Sequence, residues 1–220
     1  MPKTAPYGTW KSPITSDLIV AGSIGLGQVM LDGDDIYWIE SRPAEKGRSV
    51  IVRCNAKNKT EDVTPAPYNV RTRVHEYGGG AYLVQNGVVY FSNFADNRIY
   101  RQVIGEDPQP LTPEMKGVRY ADFILDSLHN ALICVCEDHR VTQYEPINSL
   151  VSINLDTGIS QMLYSGADFV ASPRLSPDGH RLAFIQWNHP NMPWDNSELM
   201  LGDWEFGGTT ILARRIAGGK

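Results

Sequence analysis

The sequence predicts an all-β fold, a β-propeller of about four four-stranded blades. Two observations favour it. A unit of strands, tight turn and polar loop recurs at intervals of about 40–55 residues, which is the period of propeller blades. Apolar residues nowhere recur at helical spacing over ten residues, which excludes a doubly wound α/β sheet. A β-sandwich is the alternative, but sandwiches seldom repeat a four-strand unit with one internal order.

A tight turn opens the second strand of each repeated unit. Each turn carries Gly or Asn and is followed by a run of apolar, β-branched and aromatic residues. The four turns occupy residues 32–35, 85–87, 128–130 and 176–179. Apolar runs before each turn and after the next polar loop supply the first and third strands, and a shorter fourth strand often follows.

These units predict a lead-in segment over residues 1–26 and a partial propeller over residues 27–220. The predicted blades cover residues 27–65, 80–113, 120–164 and 169–216. In the last blade only residues 209–212 are left to form the outer strand. Because most propellers have six to eight blades, we interpret the chain as the first part of a larger ring. An open arc exposes apolar side chains and strand edges, so self-association is expected.

Composition narrows the functional classes. The 20 Lys and Arg residues against 25 Asp and Glu residues give a net charge of −5, which argues against a general nucleic-acid surface. The sequence has no long apolar run and no apolar signal core at its N-terminus, which predicts a cytoplasmic protein without a membrane span. Cys134 and Cys136 lie two apart on a predicted strand, so buried free thiols are favoured over a metal or redox pair.

The long loops are predicted to share one face of the propeller. In an up-and-down blade, the loop between the second and third strands emerges beside the connection to the next blade. The long segments of these two kinds are residues 41–47, 66–80, 93–96, 114–119, 137–147, 165–172 and 187–196. Since chemically rich loops on a rigid scaffold are where binding is usually built, this face is the predicted binding face.

The connection before the second blade carries the first candidates. Gly78-Gly79-Gly80 permits turns that bring Arg73, His75 and Glu76 near the mouth of the central channel. In a binding role, Arg73 would hold a peptide carboxylate or carbonyl and Glu76 would accept from an amine. The alternative is that His75 and Glu76 brace the loop and pair with neighbouring blades or a further domain.

Two other loops carry candidate ligand-binding residues. Glu137, Asp138 and His139 are adjacent on an extended segment and point in different directions, and no second carboxylate or histidine is identifiably placed to complete a metal shell. A salt-bridge network or domain contact is therefore predicted, with no metal and no cofactor. Prolines and Trp194 in residues 187–195 predict a stiff projection, more suited to an interdomain surface than to direct ligand binding.

Several of these segments resemble a known family. Residues 40–43, 73–80, 92–96, 137–139 and 187–195 are similar to the propeller of prolyl oligopeptidase-family serine peptidases, in particular the bacterial dipeptidyl-aminopeptidase and acylaminoacyl-peptidase-like branch. Residues 7–14 are similar to the start of those proteins. The resemblance implies a following α/β-hydrolase domain with a Ser-Asp-His triad and a propeller that restricts access to peptides. The substrate-channel or interdomain candidates are Arg42, Arg73, His75, Glu76, Tyr77, Glu137, Asp138, His139, His189 and Trp194.

No catalytic residue is predicted within the chain. The nearest match to a nucleophile elbow, around Ser23, leads into a β-strand rather than a helix. The leading hypothesis is therefore the non-catalytic propeller portion of a serine peptidase for short peptides, whose partners are the remaining blades and the hydrolase domain. The alternative is a stand-alone scaffold that binds a protein or peptide. A reading frame that continues into a hydrolase would separate the two.

Overall fold

Four antiparallel sheets of four strands follow one another along the chain, which confirms the predicted all-β propeller class. The computed structural model describes residues 4–9, 11–20, 22–140, 144–204 and 211–219. Sheets 1 and 2 contain β1 Gly25–Asp32, β2 Asp35–Arg42, β3 Arg48–Cys54, β4 Thr60–Asp62, β5 Tyr82–Gln85, β6 Val88–Ser92, β7 Ile99–Val103 and β8 Gln109–Pro110. Sheets 3 and 4 contain β9 Val118–Asp126, β10 Ala131–Asp138, β11 Ile147–Asn154, β12 Ser160–Tyr164, β13 Phe169–Leu175, β14 Arg181–Trp187, β15 Glu198–Asp203 and β16 Arg214–Gly218.

In the described part of the chain, helical structure is limited to α1, Ser16–Val20, and a 3-10 turn, Pro43–Glu45. Among the described residues, no helix has the length and apolar character that a membrane span requires. Ser23 lies between α1 and β1, an inner propeller strand, and so has none of the strand-elbow-helix surroundings of a hydrolase nucleophile.

The tight turns have the backbone that their residues predict. Asn86 and Gly87 join β5 to β6, and both have positive φ, 54° and 72°. Positive φ at both central residues defines the type I′ turn, whose twist matches that of the flanking strands. This local signal fixes the register of Gln85 against Val88.

The outer strand of sheet 4 was wrongly predicted. It is β16, which pairs with β15, whereas the prediction placed it at residues 209–212, of which 209 and 210 lie outside the described residues. Ile211 instead packs between sheets 3 and 4 with 5% of its surface exposed. Its backbone N–H donates to Leu163 O of the neighbouring sheet at 2.7 Å, so this segment is bonded to sheet 3 rather than to β15.

The sheets pack face to face in chain order with an apolar layer between each pair. Tyr37 and Phe91 belong to the first layer, Leu132 to the second, and Phe184 and Trp204 to the third. Burial of these aromatic and branched side chains supplies the main stabilisation of the arc. Cys134 and Cys136 are buried free thiols, and burial raises the pKa of both.

Polar side chains on bulges of the inner strands connect neighbouring sheets. Gln28, Asp122 and Ser172 occupy equivalent irregularities in β1, β9 and β13, each with positive φ. Asp122 Oδ1 accepts from Gly80 N at 2.6 Å, and Asp122 Oδ2 accepts from Ser172 N at 2.8 Å. Gln28 likewise bonds to the backbone at Ala81. The carboxylate of Asp122 therefore connects sheets 2, 3 and 4 at or next to their inner strands.

Candidate functional site

The connection between sheets 1 and 2 ends in a loop that reaches sheets 3 and 4. We call residues 71–80 the crossing loop. At its start, Arg71 N donates to Ser92 O of β6. Farther along, Val74 is 1% exposed and packs in the apolar layer between sheets 3 and 4, against residues such as Val170. The crossing loop therefore brings its side chains to a site formed by blades distant in sequence.

Glu137, at the end of β10, anchors the crossing loop. Its side chain is 2% exposed, and Oε2 accepts from His75 N at 2.6 Å. Its other oxygen, Oε1, lies 2.8 Å from Arg119 Nη1 and 2.7 Å from His139 Nε2. His75 and Glu76 have positive φ, 54° and 64°, which side chains rarely adopt. The buried carboxylate thus stabilises an unfavourable turn.

Arg119 at the start of β9 completes the anchor, and the sequence did not single it out. Its Nη1 donates to Glu76 Oε1 at 2.7 Å and to Arg73 O at 2.9 Å, as well as to Glu137. The hydrogen bond from Arg119 to Glu76, together with the positive charge of Arg119, holds the pKa of Glu76 below its usual value. Arg119 faces Glu137 across β9 and β10, a pairing that depends on strand register. The alternation of charges along each strand does not reveal that register.

The surroundings of Glu137 differ from the expectation that no second carboxylate lies nearby. The crossing loop brings Glu76 there, so that ligand atoms of Glu76, Glu137 and His139 lie within 4.8 Å of one another. However, one Arg119 nitrogen bonds to both carboxylates, and its guanidinium already supplies the compensating cation. The chemistry of this donor set fits an ion-pair network better than a metal centre.

A pocket of about 360 Å³ opens beside this network. Phe169 and Trp187 stack with ring centroids 5.2 Å apart, and His75 meets both rings edge-on at 5.4 and 5.3 Å. Tyr77 and Met192 add to this apolar wall. The acidic side is formed by three glutamates, Glu76, Glu137 and Glu145. The pocket therefore combines a flat aromatic surface with negative charge, which suits an amine that carries an apolar group.

The imidazole of His75 belongs to the wall rather than to the charged side. Burial lowers the pKa of His75, which favours the neutral ring. Its Nε2 and the Oδ1 of nearby Asn148 are both buried, and neither atom has a partner at hydrogen-bond geometry among the described residues. A neutral ring packed against Phe169 and Trp187 is a structural element of the pocket.

The other predicted residues lie around the pocket or apart from it. Arg73 stacks over the ring of Phe94, and Asp138 pairs with Arg140. His189 contacts the Phe169 ring at 4.9 Å and has its Nδ1 2.9 Å from Asp168. The structure thus brings together five of the predicted residues, namely His75, Glu76, Tyr77, Glu137 and His139, with His189 adjacent.

Arg42 and Trp194 line cavities other than this pocket. Arg42 forms ion pairs with Glu40, Glu45 and Asp62 on sheet 1 and lines a separate cavity of about 300 Å³. Trp194 is 74% exposed and lines a shallow cavity beside the end of β16. Neither side chain lines the aromatic pocket.

Solved structures similar to this chain include peptidases. Neither a protein-family model nor a curated protein sequence matches it. A Mycobacterium tuberculosis puromycin-hydrolyzing peptidase is 39% identical with a TM-score of 0.84, and the match covers 99% of this chain and 36% of that chain. A puromycin hydrolase is 33% identical with a TM-score of 0.87 over the same shares. TolB from Acinetobacter baumannii, 17% identical with a TM-score of 0.52, covers 78% of this chain and 38% of its own and shares the fold.

A further structure is that of a Ser-to-Ala mutant of puromycin hydrolase in complex with PGG, 33% identical with a TM-score of 0.87. It matches 98% of this chain and 36% of its own length. This chain thus spans just over a third of the length of the peptidases that it matches.

Proposed function

Because this chain belongs to the prolyl oligopeptidase family, as a homologue of the propeller part of puromycin-hydrolyzing peptidases, we propose that it is the non-catalytic propeller portion of a serine peptidase that acts on short peptides. In this role the loop face packs against a hydrolase domain and controls the access of substrates. The single observation that carries the proposal is the aromatic and acidic pocket on that face.

The chemistry of the pocket supports the binding of a substrate's amino end. Glu76 is 75% exposed at the side chain, so one oxygen can accept from a ligand while the other is held by Arg119. Arg119 offsets only part of the charge of Glu76 and Glu137, which leaves the pocket attractive to a cation. The stacked rings of Phe169 and Trp187 offer a flat surface to an aromatic side chain.

Exposed aromatic side chains support a contact with a further domain. Tyr77, Tyr144 and Trp194 are 61%, 92% and 74% exposed on the loops around the pocket. A cluster of large apolar side chains on a loop face is typical of an interaction surface. If a second domain packed on these loops, it would enclose the pocket and exclude large substrates.

Titration of the chain with puromycin tests the proposal, because puromycin carries a free amine next to an aromatic group. We expect its binding to shift the indole N–H signal of Trp187 in NMR spectra, and N-acetylation of the ligand to weaken binding. Glu76→Gln should lower affinity at least about five-fold, equivalent to roughly 1 kcal/mol. Glu106→Gln is the matched control, since Glu106 is an exposed glutamate outside the pocket.

Two results would count against this function. If puromycin left the Trp187 signal unchanged at millimolar concentration, the pocket would not be a substrate site. If Glu76→Gln and Glu106→Gln had the same effect, the attraction would come from net charge alone. A chain that bound a folded protein tightly but no small amine would favour the stand-alone scaffold.

A further inference from the structure

Two arginines of the crossing loop share one aromatic ring. The Cζ atoms of Arg71 and Arg73 lie 4.9 and 5.0 Å from the centroid of the Phe94 ring. Phe94 lies in the loop between β6 and β7, where its backbone N–H donates to Asn69 O at 2.9 Å. The ring is half-buried while both arginines are exposed. Cation–π contact therefore holds the guanidinium groups of two exposed arginines at one fixed ring.

Neither guanidinium has an ion-pair partner among the described carboxylates. Among the other exposed arginines, Arg140 pairs with Asp138 and Arg215 with Glu198, and the rest have no ion pair among the described residues. Two like charges held on one ring repel each other, and an anion bound between them relieves that repulsion. Guanidinium groups match the planar, two-oxygen geometry of a carboxylate. The arrangement is that of a prepared anion site without a protein partner.

The position of this pair next to the pocket indicates which anion it fits. The carbonyl of Arg73 accepts from the same Arg119 nitrogen that bonds to Glu76. Positive charge at Arg71 and Arg73 thus borders negative charge at Glu76 along a few residues of one loop. A zwitterion complements this pattern, whereas the neighbouring carboxylates disfavour a dianion such as phosphate.

We propose that Arg71 and Arg73, held on Phe94, bind the carboxylate of a short peptide whose amino group lies at Glu76. This assignment rests on the proposed function, because it places the two ends of one substrate on the loop face. The propeller would then select peptides with a free C-terminal carboxylate over peptides with a blocked C-terminus. It would also limit the length of the peptide to the distance between the arginine pair and Glu76.

The test compares Tyr-Gly-Gly with its C-terminal amide in NMR titrations of the full chain. We expect the acid to bind at least about five-fold more tightly than the amide and to shift the Nε–H signals of Arg71 and Arg73. Arg71→Gln and Arg73→Gln should each reduce this preference. Phe94→Leu keeps both charges but removes the ring, and it should reduce the preference as well.

Arg101→Gln is the matched control, because Arg101 is an exposed arginine on β7 with no ion pair among the described residues. It should leave the preference unchanged, and an equal loss in this variant would overturn the proposal. If acid and amide bound the wild-type chain equally, the carboxylate site would be refuted while the proposed function stood. If neither bound, the proposed function would fail and this inference with it. Inorganic phosphate binding more tightly than the peptide would refute the carboxylate assignment.

Discussion

Asp122 joins three sheets through two backbone N–H groups, and its replacement measures how strongly the blades are coupled. In Asp122→Ala, the amides of Gly80 and Ser172 lose their acceptors at 2.6 and 2.8 Å. A hydrogen bond to a charged group contributes about 1.5–3 kcal/mol, so the two together give about 3–6 kcal/mol. The φ of +57° at this position is adopted by Asp somewhat more easily than by alanine, so the substitution adds a further loss of less than about 1–2 kcal/mol.

Companion variants separate these contributions. Asp122→Gly accepts the positive φ freely and loses only the hydrogen bonds. Asp122→Asn retains one acceptor oxygen and tolerates the backbone, so about half of the bonding contribution, or roughly 1.5–3 kcal/mol, should be lost. The conservative variant keeps the test usable if Asp122→Ala does not fold, because whole domains are stable by only about 5–15 kcal/mol.

The assay is urea-induced unfolding followed by tryptophan fluorescence and circular dichroism. Asp107→Ala is the control, since Asp107 is exposed and its side chain forms no hydrogen bond in the described structure. Hydrogen exchange should also show faster exchange at the amides of Gly80 and Ser172. A loss below about 1 kcal/mol in Asp122→Ala, or a loss equal to that of the control, would refute the reasoning.

Three further predictions concern the anchor, pH and association. Glu137→Ala should destabilise the chain by about 1.5–3 kcal/mol in urea unfolding, because it removes the acceptor of the His75 amide and one of the two carboxylates that pair with Arg119. A smaller loss is expected in Glu137→Gln than in Glu137→Ala, and no loss in either variant would contradict the anchor. Burial lowers the pKa of His75 in the folded chain, although the charges of Glu137 and Asp122 oppose that shift. Just below the ordinary pKa of histidine, the unfolded chain therefore binds more protons than the folded chain. The free energy of unfolding should fall as the pH drops through about 6.5. The titration of His75 changes the free energy of unfolding by at most about 1.4 kcal/mol per pH unit. His75→Gln should remove this contribution to the pH dependence. Light scattering should detect self-association that decreases in Leu31→Ser, since Leu31 is 69% exposed on β1; a monomeric wild-type chain at high concentration would contradict this.

The repeated sheets could be predicted because their signals are local. Asn86-Gly87 specifies a hairpin turn by its own backbone preferences, and the runs on either side have strand composition. The outer strand of sheet 4 could not be placed in the same way. Ile211 is apolar and lies between β15 and β16 in the sequence, but its backbone N–H donates to Leu163 of another sheet. Its role depends on how two sheets pack, which no local pattern records.

The candidate site was predictable only in part for the same reason. His75, Glu76 and Glu137 could be expected on one face from the order of strands and loops. Their bonds depend on Arg119, whose partner is fixed by the register between β9 and β10. The contact of Arg71 with Phe94 joins two loops that are separate in sequence. Such pairs become visible only when the loops have three-dimensional positions.

The crossing loop changes how this propeller can tolerate the gain or loss of a blade. In arrays whose repeats contact only their neighbours, a terminal repeat can detach or be duplicated without disturbing the others. Here Val74, from the connection before sheet 2, lies in the layer between sheets 3 and 4. Removing sheet 4 would leave that side chain in water and weaken a loop that belongs to sheet 2. We therefore expect sheets 2 to 4 to unfold as one unit, and a new blade to be tolerated more easily outside this unit than within it.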